Sequence, residues 1–110
     1  MVDGPRRGEV WWIDFDPSIG SEIQKTRPAI VVSNDQANRV LNRFQVVPLT
    51  SNLKRFYAGN ALVTVSGRQS RAMADQLYTA ARQRFGRRLG RLSEDDMLAV
   101  DDAIRIQLAL

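Results

Sequence analysis

A chain of 110 residues, 44% of them hydrophobic, holds enough apolar material for one compact core and too little length for a second domain, so a single domain over residues 1–110 is expected. It contains neither cysteine nor histidine, which excludes disulfides, thiolate nucleophiles, Cys/His zinc sites, a Ser-His-Asp triad and a two-histidine nuclease mechanism. The net charge of +4 hides an asymmetry: residues 1–92 hold 15 Lys/Arg against 7 Asp/Glu, residues 93–110 hold 1 against 5, and residues 37–91 contain 11 basic residues with Asp75 as the one acid.

Met1 to Gly8 lacks the apolar stretch of a secretory signal, and no segment approaches the roughly 20 apolar residues of a membrane-spanning helix. A cytoplasmic protein is therefore expected. "EVWWIDFD", Glu9 to Asp16, is aromatic and β-rich and stops at Pro17. A polar, Gly-led loop, "GSEIQKTR", then carries Glu22, Lys25 and Arg27 to the mouth of the β-branched run "PAIVVSN". "FQVVPLT" reads as a further strand, and its Pro48 implies an edge or a bulge. "NALVTV" ends at the turn signal Ser66-Gly67. "RAMADQLYTAA" fits strand or helix by pattern, and Tyr78-Thr79 favour strand. Five short strands at near-regular spacing point to a small barrel. The period then changes. Ser93 is a good N-cap, with Asp96 at the capping-box position and three acids suited to the helix dipole. Met97, Val100, Ile104 and Leu108 follow at spacings of 3, 4 and 4, with Leu98 and Ile106 widening the stripe, so a helix over about 94–109 is expected to lie on the barrel. The fold class is thus mainly β with helices (α+β).

A basic body points to a polyanionic partner, nucleic acid first; a solvated face kept for solubility is the plain alternative. The scattered acids offer no obvious carboxylate site for magnesium, and no metal or other cofactor is expected. The remaining tools suit phosphoryl transfer on RNA, which carries its own nucleophile in the 2′-OH. Arg27 offers a planar fork matched to phosphate oxygens. Thr50, at the end of an apolar run, offers a hydroxyl in a fixed place. Glu22 is the nearest candidate base. Taken alone, each has an ordinary reading as a surface charge or a strand-end turn.

Three blocks in order, "RGEVWWIDFDPSIGSE" from Arg7, "KTRPAIVVSND" from Lys25 with the later "VVPLTSN", and "AMADQLYT" followed by "GRLSEDDM", resemble the MazF/PemK family of toxin endoribonucleases over nearly the whole chain from residue 7. The resemblance implies a small SH3-like barrel of the CcdB/PemK type with a C-terminal helix, a homodimer, metal-independent cleavage of single-stranded RNA, and a cognate antitoxin whose acidic segment fills the RNA groove. It places the reactive arginine at Arg27, the strand-end threonine at Thr50, and Glu22 near the reacting group. The RNA contacts it implies fall on Ser21, Asn34, Asp75 and Gln76. Lys25, Thr26, Ser51, Lys54, Arg55 and Ser70, on the same loops and strand ends, complete the expected set. Base choice is expected from loops 52–60 and 66–72. One position departs from the PemK-like branch: Met73 stands where an arginine would assist the aspartate, which leaves Asp75 a binding role. Two other readings remain open at this point, a gyrase-poisoning toxin on the same barrel, resembling CcdB, and a noncatalytic RNA-binding module.

Overall fold

The protein is described by a computed structural model over residues 4–110. Its strands are β1 (Glu9–Asp14), β2 (Thr26–Val31), β3 (Arg43–Thr50), β4 (Asn60–Val65), β5 (Arg68–Met73), β6 (Tyr78–Ala81) and β7 (Phe85–Arg91); its α-helices are α1 (Asp35–Val40) and α2 (Glu94–Leu108). The strands form one antiparallel sheet in the order β4-β5-β3-β2-β1-β7, with β6 also paired to β3. The sheet curls into a half-barrel. Where its ends approach, Gly90 of β7 faces Val65 and Ser66 of the β4–β5 turn, and a Cβ there would sit 3.6 Å from each side chain. Among the described residues, no helix is long and apolar enough to cross a membrane.

The central strands are apolar over 29–31 of β2 and 46–49 of β3, where both faces are covered. On β2, Ile30 joins one cluster with Val47, Leu49, Val63 and Val100, while Ala29 and Val31 join a second with Phe15, Phe44 and Phe85. Helix α2 covers the first cluster with Val100 and Ala103, assisted by Met97 and Ile104. The expected stripe is narrower than its spacing implies: Leu98, Ile106 and Leu108 are exposed. Ser93 does cap the helix, its Oγ accepting from Asp96 N at 3.1 Å. Asp96 does not complete a capping box; its carboxylate accepts from Thr64 N on β4 at 2.9 Å and ties helix to sheet.

Several elements differ from the sequence reading. The segment 71–81 is two strands separated by a 3₁₀ turn at Ala74–Gln76. Strand β7, "FGRRLGR", has no apolar alternation because it lies at the sheet edge, held by backbone pairing to β1 and by an ion pair from Arg88 to Glu9 at 3.2 Å. Helix α1 is too short for periodicity to show. Asn34 caps it, its side chain accepting from Ala37 N at 2.8 Å. Within it, burial alone would raise the Asp35 pKa; the hydrogen bond from Arg7 N–H, the Asn38 amide and the charges of Arg6 and Arg39 outweigh that and hold the carboxyl below its ordinary range. Its contribution to stability is therefore present above the ordinary carboxylate pKa and lost as pH falls through the lowered one.

Pro48 lies on an interior strand, neither at an edge nor on a bulge, and the register explains how. Consecutive residues of a strand turn their N–H groups to opposite neighbours. Val32 N donates to Gln45 O, so odd positions of β3 face β2 and even positions face the other side. On that side the partner changes from β6, paired as far as Val46, to β5, paired from Leu49. Pro48 occupies the gap, where no N–H is required.

Candidate active site

The same reasoning applied to Pro28 builds the site. Val32 bonds to Gln45 and Ile30 pairs with Val47, so the next bonded pair in this register would be Pro28 with Leu49. Proline has no N–H to give Leu49 O. The β2–β3 ladder accordingly stops at Ala29–Pro48. Arg27 stays paired to Ile13 of β1, and Thr50 to Arg71 of β5, but Arg27 and Thr50 are not zipped to each other. Pairing between the two strands ends here, and both strand ends line a cavity of about 640 Å³. Pro28→Ala restores the missing donor. The expected result is a higher thermal midpoint with slower RNA cleavage, checked by calorimetry and single-turnover kinetics; an unchanged midpoint and rate would show that the proline does not hold the ladder open.

The cavity gathers Lys25, Thr26, Arg27, Thr50, Ser51 and Ser70 from the expected set. It adds Trp12, which sequence reasoning missed, and Ser66, Arg68 and Gln69, which fall in the 66–72 segment expected to set base choice but were not named individually. Arg68 and Gln69 follow the Ser66-Gly67 turn, so recognising the hairpin there would have aimed them at the strand ends. Lys25, Arg27 and Arg68 are cations, and among the described residues no carboxylate lines the cavity. The concavity is positively charged and has one aromatic wall, Trp12, whose indole Nε1 is buried without a hydrogen-bond partner among the described residues. A concavity of similar size, about 580 Å³, lies at the other end of β3 around Arg6, Asp35, Arg39 and Arg82. Volume does not separate the two; chemistry does, because that one contains none of the expected residues.

Arg27 is half-buried and its Nε donates to Gln24 O at 2.9 Å, which holds the stem and aims the fork. Thr50 Oγ1 accepts from Asn52 N at 3.2 Å, which fixes the hydroxyl at the strand end. The loop before β2 is pinned along its length. Arg84 donates to the carbonyls of Asp14 and Asp16, both at 2.9 Å, and the Asp16 carboxylate accepts from Lys25 N at 2.9 Å. Gln76 makes two bonds to the same loop, accepting from Ile23 N and donating to Ser21 O, each at 3.1 Å.

The remaining expected residues lie outside the cavity wall. Glu22 is exposed, and its carboxylate accepts from Ile19 N at 2.9 Å within its own turn. Ser21 is exposed beside it. Asn34 is the cap of α1. Lys54 and Arg55 sit on the exposed 51–59 connection. Asp75 and Gln76 lie on the 3₁₀ turn after β5, and Asp75 faces the amide of Asn60 at 3.5 Å. Most of 66–72, expected as a loop, is strand β5.

Known proteins match this arrangement. A family model described as PemK-like, MazF-like toxin of type II toxin-antitoxin system covers residues 6–108. Endoribonuclease MazF9 of Mycobacterium tuberculosis is 40% identical, over 96% of this chain and 97% of its own length. Endoribonuclease EndoA of Bacillus subtilis is 29% identical, over 96% and 95%. Among solved structures, MazF of Deinococcus radiodurans superposes with a TM-score of 0.88 at 26% identity, over 99% of this chain and all of the other. A mycobacterial endoribonuclease solved with its cognate antitoxin shares the fold at a TM-score of 0.82 and 24% identity, over 97% of each chain. With a family model spanning the sheet, the cavity and helix α2 alike, the chain belongs to the PemK-like, MazF-like toxins of type II toxin–antitoxin systems.

Proposed function

We propose that the protein is a sequence-specific, metal-independent endoribonuclease that cuts single-stranded mRNA in the cytoplasm, as the toxin of a pair silenced by a cognate antitoxin. The observation that carries this reading is the cation-lined cavity that sets Arg27 and Thr50 on two strand ends not paired to each other. The endoribonuclease names of its relatives support the same conclusion.

In this mechanism the 2′-OH attacks the adjacent phosphorus, the P–O5′ bond breaks, and the products end in a 2′,3′-cyclic phosphate and a 5′-OH. The Arg27 fork holds two phosphate oxygens as charge grows on them, a preorganised electrostatic role. A guanidinium has five N–H donors and no acceptor; it is suited to stabilise charge and to donate toward the leaving oxygen. Thr50 hydrogen-bonds a phosphate oxygen. Glu22, reaching in from the loop before β2, or a bound water takes the 2′-OH proton. Lys25, Thr26, Ser51, Ser70 and Arg68 contact flanking phosphates and sugars, while Ser21, Asn34, Lys54, Arg55, Asp75 and Gln76 form an outer ring reached by a longer strand. Two protomers complete the groove, and an acidic antitoxin segment competes with RNA for its positive field.

The deciding experiment incubates the protein with a mixed transcript pool, and separately with gyrase and DNA. Cut RNA with discrete ends is expected. Trapped cleaved DNA, or RNA retained uncut, overturns the reading in favour of a gyrase poison or a binding module. EDTA is expected to leave the cleavage rate unchanged, because the Arg27 charge and the substrate's own nucleophile do the chemistry. A rate that collapses with EDTA and returns with magnesium rules this mechanism out.

A further inference from the structure

Arg71 is 6% exposed, and among the described residues it has no carboxylate partner. A buried charge with no counter-charge is costly unless its hydrogen bonds are well made. Here they are made to one purpose. Its Nε donates to Asn52 O at 2.9 Å, and its Nη1 donates to Asn60 Oδ1 at 2.8 Å. Asn60 Oδ1 also accepts from Tyr57 N at 3.1 Å, and the Arg71 guanidinium lies 5.8 Å from the Tyr57 ring centre. Residues 51–58 are exposed throughout, so this one side chain grips their connection near both ends.

The grip also reaches the cavity. Arg71 is the cross-strand partner of Thr50. It holds the Asn52 carbonyl, and the N–H of the same residue donates to Thr50 Oγ1. Arg71 therefore holds both sides of the threonine: the strand beside it and the turn that binds its hydroxyl. Arg71 itself does not line the cavity.

We propose that Arg71 is a positioning residue for cleavage, acting through Asn52 on the Thr50 hydroxyl and through Asn60 and Tyr57 on the 51–59 connection that meets the RNA. This rests on the reading of Arg27 and Thr50 as the groups that act on RNA. A lysine at 71 keeps the charge but cannot span both oxygens as a fork does. A misplaced reacting group typically costs up to about 100-fold.

The test compares wild type, Arg71→Lys, Arg71→Gln, Thr50→Ala and the double variants, reading thermal midpoint, affinity for an uncleavable 2′-deoxy RNA, single-turnover rate at saturating RNA, and mapped cleavage ends. Arg71→Lys and Arg71→Gln are expected to slow the saturated step about 10- to 100-fold with altered cleavage ends and to shift affinity far less. Over Thr50→Ala the same changes are expected to slow it no more than about 3-fold, because the group they position is gone. Where Arg71→Gln does not fold, Arg71→Lys carries the comparison. Unchanged rates and ends, or an equal slowing with and without Thr50, overturn the proposal. Failure of the underlying reading looks different: Arg27→Ala would then cut RNA normally, or wild type would not cut it at all.

Discussion

Arg27→Ala lowers the single-turnover rate of RNA cleavage by about 10²–10³, the typical loss when a preorganised electrostatic donor is removed. The fold survives. The side chain is half-buried, and its one hydrogen bond, to Gln24 O, contributes on the order of 1 kcal/mol, which for a domain of this size lowers the thermal midpoint by about 4–8 °C. Arg27→Lys recovers only part of the rate, because an ammonium supplies charge without the fork. Thr50→Ala lowers cleavage more than affinity. Rates, RNA affinities and thermal midpoints measured on the same samples separate the cases. Near-normal cleavage by folded Arg27→Ala would place the chemistry elsewhere, and loss of activity through unfolding alone would make Arg27 a structural residue.

The second large effect lies in the substrate. Replacing the 2′-OH by hydrogen at the scissile nucleotide removes the nucleophile and abolishes cleavage. Among the described residues the cavity wall contains no carboxylate to substitute for it, and the chain has no thiol or imidazole. Affinity should hardly change, because cations and hydroxyls of the wall meet phosphates rather than the lost oxygen. The product ends, 2′,3′-cyclic phosphate and 5′-OH, are read by mass spectrometry. Cutting of the deoxy substrate, or a 5′-phosphate on the product, would show that water or a side chain attacks instead.

What the sequence made legible follows from how strongly each signal is tied to burial. The runs around Ile30 and Val47 and the stripe through Val100 announce themselves because both sheet faces or a helix face must be apolar. Strand β7 does not, since its order comes from backbone bonds at an edge, and helix α1 does not, since six residues show no period. The site divides the same way. Arg27 and Thr50 were readable as ends of apolar runs, but the end of pairing between their strands depends on register, which would set Pro28 opposite Leu49, twenty-one positions away. Trp12 needed the curl of the sheet, and Arg71 gave no signal because its partners are a carbonyl and an amide. Asn34 and Gln76 carry structural bonds that a motif cannot display.

The interrupted ladder at Pro28 also sorts the loops beside the cavity by where they are anchored. The loop before β2 is anchored to the β1 side of the break, by Arg84 to Asp14 and Asp16, and across the break by Gln76 to Ser21 and Ile23. The 51–59 connection is anchored to the β5 side, by Arg71 to Asn52 and Asn60. Each loop brings one of the two groups proposed to act on phosphate, and neither relies on a β2–β3 backbone bond at that end to hold its shape. Changes in the 51–59 connection can therefore be absorbed on the β5 side alone, whereas changes in the loop before β2 reach both sides through Gln76. A chain built this way leaves the 51–59 connection the freer of the two to vary, while Gln76 and the Ala29–Pro48 end of the ladder keep the two halves in a constant relation.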